Sequence, residues 1–305
     1  MKEAMEKGFS VVVPTCNRPE DLRTCLLALF QTKVGADDFE VIVTDDGADD
    51  RTRAMLEAEF PGVHWTQGPR RGPAANRNHG VEMSRGEWII FLDDDCVPSP
   101  GFLDGYEAAF RDGGVELVAF EGRTVREREP DSLLWEAPHN PSGGHLISCN
   151  FAILRRHFNQ VGRFDERYPV AAYEDTEFAA RFVMSGGRMK FLPHVEVIHP
   201  LRRRPEPKRC AARWEGKVIY AFDQGASPWR VRWGLPWHVF RLIQCRFSGQ
   251  ELNWTNVRAV GLFAREWWHV CLATPGWVKK WRARPRSEFW TEQVARRGPL
   301  PKYGF

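Results

Sequence analysis

Between Phe9 and Leu92 one arrangement repeats: a short apolar run, a polar break, then a segment with helical spacing. Residues 9–13 are apolar and stop at Pro14. Residues 21–32 set Leu22, Leu26 and Leu29 on one helical face, and residues 39–44 form a second apolar run ending at Asp45-Asp46-Gly47. Residues 49–60 read as a helix with an acidic start, 63–66 as a weaker strand, 72–84 as a helix and 87–92 as a fourth strand. Strands alternating with helices predict βαβ units and a largely parallel sheet. In such sheets ligands bind beyond the carboxyl ends of the strands. Three of those ends carry polar clusters: Thr15-Cys16-Asn17-Arg18, Asp45-Asp46-Gly47 and Asp93-Asp94-Asp95.

The third cluster is the sharpest. Three adjacent carboxylates at the end of a buried strand repel one another and shift each other's pKa values. A solvated acidic turn is one reading. A hard divalent cation such as Mg²⁺, which takes carboxylate oxygens and substrate phosphates together, is the other. The Gly-x-Gly-x-x-Gly fingerprint is absent after the first strand, which argues against a nicotinamide dehydrogenase.

Beyond about residue 113 the pattern changes. Residues 116–125 and 145–154 read as strands flanking a polar loop at 127–144, followed by a helix over 173–184 and a strand over 189–198. The expected domains are therefore 1–200, divided into 1–112 and 113–200, and a C-terminal extension at 201–305. That extension carries 21 Lys and Arg against 7 Asp and Glu, a net of +14, whereas residues 1–200 sum to −11. Ten of the thirteen tryptophans also lie at or after Trp214, in segments interrupted by Pro228, Pro236 and Pro275. Seven scattered cysteines without C-x-x-C spacing point to reduced thiols and away from a cysteine-built zinc site. With a charged start, Met-Lys-Glu-Ala-Met-Glu-Lys, and no apolar run long enough to span a bilayer, a cytoplasmic location is expected.

Taken in order, these motifs resemble the family 2 inverting glycosyltransferases, which have the GT-A fold. The resemblance spans Ser10 to about Pro200. It rests on Ser10-Val-Val-Val-Pro-Thr-Cys-Asn-Arg-Pro, Glu40-Val-Ile-Val-Thr-Asp-Asp-Gly, Gly72-Pro-Ala-Ala-Asn-Arg-Asn-His-Gly and Leu92-Asp-Asp-Asp. Further along it rests on Gly162-Arg-Phe-Asp-Glu, Tyr173-Glu-Asp-Thr-Glu-Phe and Val197-Ile-His-Pro. Glu177 departs from the family, where many members have Asp. The Trp-rich basic extension has no family-wide counterpart and leaves the acceptor open.

The resemblance implies an α/β fold of GT-A type: a Rossmann-like, mostly parallel nucleotide-binding sheet continued into a mixed acceptor-side sheet, with a helical C-terminal extension. It implies transfer of a sugar from a nucleotide-diphosphate donor to a saccharide or lipid-linked hydroxyl, in cell-surface polysaccharide or glycolipid synthesis. Pro14, Thr15, Asn17 and Arg18 would form the nucleotide turn, and Asp45, with Asp46, would meet base or ribose. Arg77 would meet the diphosphate, Asp93 the ribose with Asp94 beside it, and Asn150 the sugar. Mg²⁺ or Mn²⁺ would sit on Asp95, with Asp93 and His199 as further ligands; otherwise His199 is simply a strand-end histidine. Asp175 would deprotonate the acceptor and Glu174 would position it. For both acids, helix capping is the competing reading.

Residues 235–247 and 257–271 have the makings of amphipathic helices. Their aromatics and arginines suit peripheral contact with the inner face of a membrane, or else they pack back on the catalytic domain. No nucleic-acid partner is expected, and the oligomeric state is left open. Two alternatives stand beside the transferase: a sugar nucleotidyltransferase, whose Gly-rich phosphate loop is missing here, and a non-enzymatic nucleic-acid- or membrane-binding protein.

Overall fold

A computed structural model describes residues 8–32, 39–112, 116–248 and 254–298. The chain runs β1 (Phe9–Thr15), α1 (Pro19–Gln31), β2 (Phe39–Asp45), α2 (Arg51–Glu59), β3 (His64–Gln67), α3 (Pro73–Met83), β4 (Trp88–Leu92), β5 (Val97–Pro98) and α4 (Phe102–Asp112). It continues through β6 (Val118–Arg126), β7 (Trp135–Glu136), β8 (Asn150–Leu154), α5 (Arg155–Val161), α6 (Glu174–Met184), β9 (Arg188–His199) and β10 (Arg202–Arg203). Five helices follow: α7 (Pro207–Ala212), α8 (Trp214–Asp223), α9 (Pro228–Phe247), α10 (Trp254–Arg282) and α11 (Glu288–Arg297).

Two compact units emerge. The first holds β1–β6, β8, β9 and α1–α6; the second holds the chain beyond Pro200 together with Glu129–Glu136 and Val170–Tyr173. In the first, eight strands form one sheet in the order β3-β2-β1-β4-β8-β6-β9-β5. Strands β3, β2, β1 and β4 are parallel, and β8 then pairs antiparallel with β4 and β6. This is the mixed GT-A type of sheet that the motifs implied.

Alternate residues of each strand face opposite sides, and both sides are covered. Val11, Val13, Val41, Val43 and Ile90 pack with Leu22, Leu26 and Leu29 of α1. Val12, Ile89, Phe91 and Phe151 pack with Phe158 of α5 and with Phe178 and Phe182 of α6. Gly80 lets α3 lie close on the sheet, since a Cβ there would stand 2.4 Å from Val12 Cγ1. The aromatic cluster matters for function because Phe178 and Phe182 fix α6, and so its N-terminal acids, against the sheet.

Several expected elements differ. Residues 145–149 are not strand. Gly143 and Gly144 take positive φ (78° and 95°), and the buried Glu121 carboxylate accepts the N–H groups of Gly144 and His145 (2.6 and 3.0 Å), which turns the chain before β8. α6 starts at Glu174 because Tyr173 has φ 72°. α4 and α5 were not anticipated; α5 is a short helix that ends on a left-handed Gly162.

In the second unit the prolines do not interrupt the Trp-rich segments. Pro228 occupies the first turn of α9, and Pro236 and Pro275 lie inside α9 and α10. A proline inside a helix costs about 3 kcal/mol. Here the buried stripe Val231, Leu235 and Val239 offsets it, and the Pro236 carbonyl accepts Trp267 Nε1 at 2.9 Å. The unit's β7–β10 ribbon is locked by Arg204, whose guanidinium reaches Glu136 (2.7 Å) and the buried Glu266. No helix among the described residues is long and apolar enough to cross a membrane.

Candidate active site

The first three strand ends are tied together by backbone. Asp46 N–H donates to Thr15 O (2.9 Å) and Gly68 N–H to Asp45 O (2.8 Å). Buried Asn76, on α3, donates to Thr15 O and Thr44 O (3.3 and 3.0 Å) and accepts Thr44 Oγ1 (2.7 Å). Pro14 is buried one residue before this knot. Asn17 is exposed with φ 57° and accepts Ala48 N–H at 3.3 Å. Asp45 is buried and accepts Gly47 N–H (2.7 Å). Asp46 accepts Arg70 N–H (2.8 Å), and burial raises its pKa against those backbone bonds. A groove of about 550 Å³ opens beside Asn17 and Arg18, with Met55 at its far wall.

The three aspartates after β4 differ in their partners: Asp93 pairs with Arg77, while Asp94 and Asp95 share Arg18. Asp93 Oδ1 takes Arg77 Nη2 at 2.7 Å. Asp94 is fully buried, accepting Thr15 Oγ1 (2.7 Å) and facing Arg18 Nη2 (2.7 Å). Burial pushes Asp94 up to about 7, with Asp95 and Asp93 adding to the rise and Arg18 and Thr15 opposing it. Asp95 faces Arg18 Nη1 through Oδ2 (3.2 Å) and His199 Nε2 through Oδ1 (3.4 Å). For Asp93 burial works upward, but Arg77 prevails and the carboxyl is held low.

His199 shows what the pair with Asp95 can hold. Its Nδ1 lies 3.0 Å from the Pro200 carbonyl, which only accepts, so the proton sits on Nδ1. Nε2 then turns a lone pair toward Asp95 Oδ1, and two acceptors at that separation call for a cation or a second proton between them. A carboxylate oxygen with an imidazole nitrogen suits Mn²⁺, Mg²⁺ or Zn²⁺. Cys96 completes a buried trio whose ligand atoms lie within 4.8 Å of one another. Its neighbour Cys149 and burial raise the Cys96 thiol well above its ordinary value, so the carboxylate and imidazole are the readier donors in the metal-free protein.

The acids of α6 meet this cluster through Arg77. Arg77 is buried on α3, and its Nη1 lies 3.2 Å from Glu174 Oε1 while Nη2 holds Asp93. Burial works to discharge Arg77, but Asp93 and Glu174 keep it firmly protonated. Burial pushes Glu174 up to about 7, reinforced by Asp175 and opposed by Arg77. Asp175 is partly exposed; burial raises it too, against N–H groups of Thr176 and Ser148 and the charge of Arg77. The Thr176 N–H bond is 2.7 Å, so Asp175 caps its own helix while staying partly exposed. Capping and chemistry are not exclusive here.

Thr15, Arg18, Asp94, Asp95 and His199 are thus gathered by direct contacts, and Arg77 joins Asp93 to Glu174, with Asp175 next along α6. Asn150 is not aimed at them. Its amide donates to Arg123 O and Val195 O and accepts Tyr106 Oη, leaving no donor for a sugar. Glu177 is fully buried against Arg181 (2.6 and 2.7 Å), and Arg181 also holds the carbonyls of Val161 and Arg163. Two neighbours went unnoticed in sequence. Gln67 Nε2 donates to Asp45 O (2.6 Å), and Arg70 Nη2 donates to Gly47 O (3.0 Å). The Gly68-Pro-Arg-Arg-Gly-Pro run gave the one hint of a built turn there.

Several known proteins resemble this chain. The model of the family "Glycosyl transferase family 2" matches residues 10–163. Glycosyltransferase AglE of Haloferax volcanii is 31% identical over 206 residues, covering 63% of this chain and 67% of its own length. The GalNAc(5)-diNAcBac-PP-undecaprenol beta-1,3-glucosyltransferase of Campylobacter jejuni is 33% identical over 176 residues, covering 52% of this chain and 55% of its own. The mannosyltransferase PcManGT of Pyrobaculum calidifontis, solved with GDP-Man and Mn²⁺, shares the fold with TM-score 0.52 at 16% identity, covering 98% of this chain and 78% of its own. The alignments thus reach from little more than half to about two thirds of the two curated relatives' lengths. The match over the Thr15 turn, the aspartate triplet and α3 makes this chain a member of glycosyl transferase family 2, and so an enzyme.

Proposed function

We propose that the chain moves a sugar from a nucleoside-diphosphate sugar to a hydroxyl of a saccharide or lipid-linked acceptor, with inversion at the anomeric carbon, in polysaccharide or glycolipid assembly. The observation that carries this reading is the Arg77 bridge, which joins the strand-end acids to the acids of α6. The lipid-linked sugar in the Campylobacter enzyme's name and the nucleotide sugar bound to the Pyrobaculum enzyme point the same way.

In this mechanism Asp175 is the general base. A carboxylate raised by burial is a better proton acceptor than a free one, and it takes the acceptor's hydroxyl proton as the new bond forms. Glu174 holds the acceptor. Arg77 keeps Asp93 ionised for the ribose, while Asp45, Asp46 and Asn17 receive the nucleoside. Arg18 is released from Asp94 and Asp95 to meet phosphate charge. Asp95 and His199 would hold Mn²⁺ or Mg²⁺, which supplies Lewis-acid stabilisation of the leaving diphosphate when bound.

The test is a thermal-shift screen of uridine-, guanosine- and deoxythymidine-diphosphate sugars with Mn²⁺ or with chelator, since a ligand of the folded state raises Tm by mass action. One donor is expected to stabilise the protein only with metal, and Asp95→Asn to abolish that shift. Equal shifts in chelator would refute the metal-dependent reading.

A further inference from the structure

The second unit carries a surface that the transfer chemistry does not use. In α9, Val231, Leu235 and Val239 form the buried stripe. Trp229, Trp233 and Trp237 are also four residues apart but offset by two, about 200° around the helix, and so lie opposite the core stripe. All three are exposed, Trp229 by 73%. In α10 the same logic holds: Phe263, Val270 and Val278 are buried, while Trp254 (84% exposed), Trp268 and Leu272 are turned outward. Trp237 reaches α10 through rings: it stacks on the half-buried Phe240 (5.8 Å), which meets the half-buried Trp267 (5.9 Å).

The charge on this surface has one sign. α9 contains no Asp or Glu and exposes Arg230, Arg232 and Arg241 on or beside the tryptophan face. α10 exposes Arg258 and Arg265. The one acid of α10, Glu266, is buried and bound by Arg204 and Trp214 Nε1 (2.9 Å). Indole rings favour the headgroup layer, where one edge is apolar and the other is wet. Arginines without competing carboxylates suit anionic headgroups. A contact between two copies of this face would oppose cation to cation.

We infer that the outward faces of α9 and α10 form an interfacial surface that docks on an anionic phospholipid bilayer, lying in the headgroup layer. This stands independently of the donor and metal proposed above.

Co-sedimentation of the full chain with vesicles tests it. Vesicles of three parts phosphatidylcholine to one part phosphatidylglycerol are expected to bind about tenfold or more tighter than phosphatidylcholine alone. The combined variant Trp233→Ala, Trp237→Ala and Trp268→Ala is expected to lose about tenfold or more of that binding, as is Arg232→Glu with Arg241→Glu. Bilayers with brominated acyl chains are expected to quench the wild-type tryptophan emission, a reading that does not depend on any variant folding. Three results would overturn the inference: no vesicle binding, binding without bromolipid quenching, or a concentration-dependent dimer or tight RNA complex that the tryptophan variant abolishes while vesicle binding persists.

Discussion

Asp93, at the end of β4, and Glu174, at the start of α6, grip different arms of one buried guanidinium, Arg77, at 2.7 and 3.2 Å. Removing the guanidinium leaves the buried Glu174 and the half-buried Asp93 without their cation, a loss that typically costs about 3–5 kcal/mol. Arg77→Met is expected to fall in that range by urea denaturation. Arg77→Lys is expected to restore little, because a single ammonium cannot fork between two acids.

The pH dependence of stability has a definite sign at Glu174. Its folded pKa is about 7 against an ordinary 4.5, so the folded protein holds that proton more tightly. The contribution is fully present below about pH 4.5 and is lost as the pH rises through about 7. Between about pH 5 and 7, wild-type stability should fall on the order of 1–3 kcal/mol more steeply than that of Glu174→Gln. Parallel denaturation curves for the two proteins across that window would exclude the effect.

Asp175→Asn keeps the shape of the helix start and removes the base. It is expected to lower kcat about a hundred- to ten-thousandfold while leaving metal-dependent donor stabilisation intact. Loss of donor binding in the same variant would assign Asp175 to the donor instead.

Glu177 and Arg181 tie α6 to the turn after α5, and neither is expected to touch substrate. Arg181→Ala should cost about 3–5 kcal/mol, because it takes the guanidinium from the fully buried Glu177 and frees the carbonyls of Val161 and Arg163. Glu177→Asp should cost less, retaining the charge one methylene further away. Both are read by chemical denaturation.

The parallel half of the sheet was legible because its signals are local. Apolar runs of strand length end in Pro14, Asp45 and Asp93, and α1 shows its leucine stripe openly. The aspartates and His199 were legible as candidates for the same reason. What pairs with what was not. Arg77 stands in sequence as a candidate for the diphosphate, yet α3 buries it, and only the folded sheet brings Asp93 and Glu174 to it. Asn150 looked available in sequence, but Tyr106 and two distant carbonyls claim its amide. The turn at 143–149 hid behind an apolar stretch, because its cause is the Glu121 carboxylate from another strand. Pro236 and Pro275 misled for a related reason: packing of one helix face outweighed a local penalty.

The account rests most heavily on Asp95 and His199 sharing a cation that faces the same crevice as Asp175. Anomalous diffraction from crystals grown with Mn²⁺ and the stabilising nucleotide tests it most directly. A single peak at coordination distance from Asp95 and His199 Nε2, touching the diphosphate on the side where Asp175 opens, is the predicted result. A bound nucleotide with no peak there, or a peak held by other residues, would contradict it.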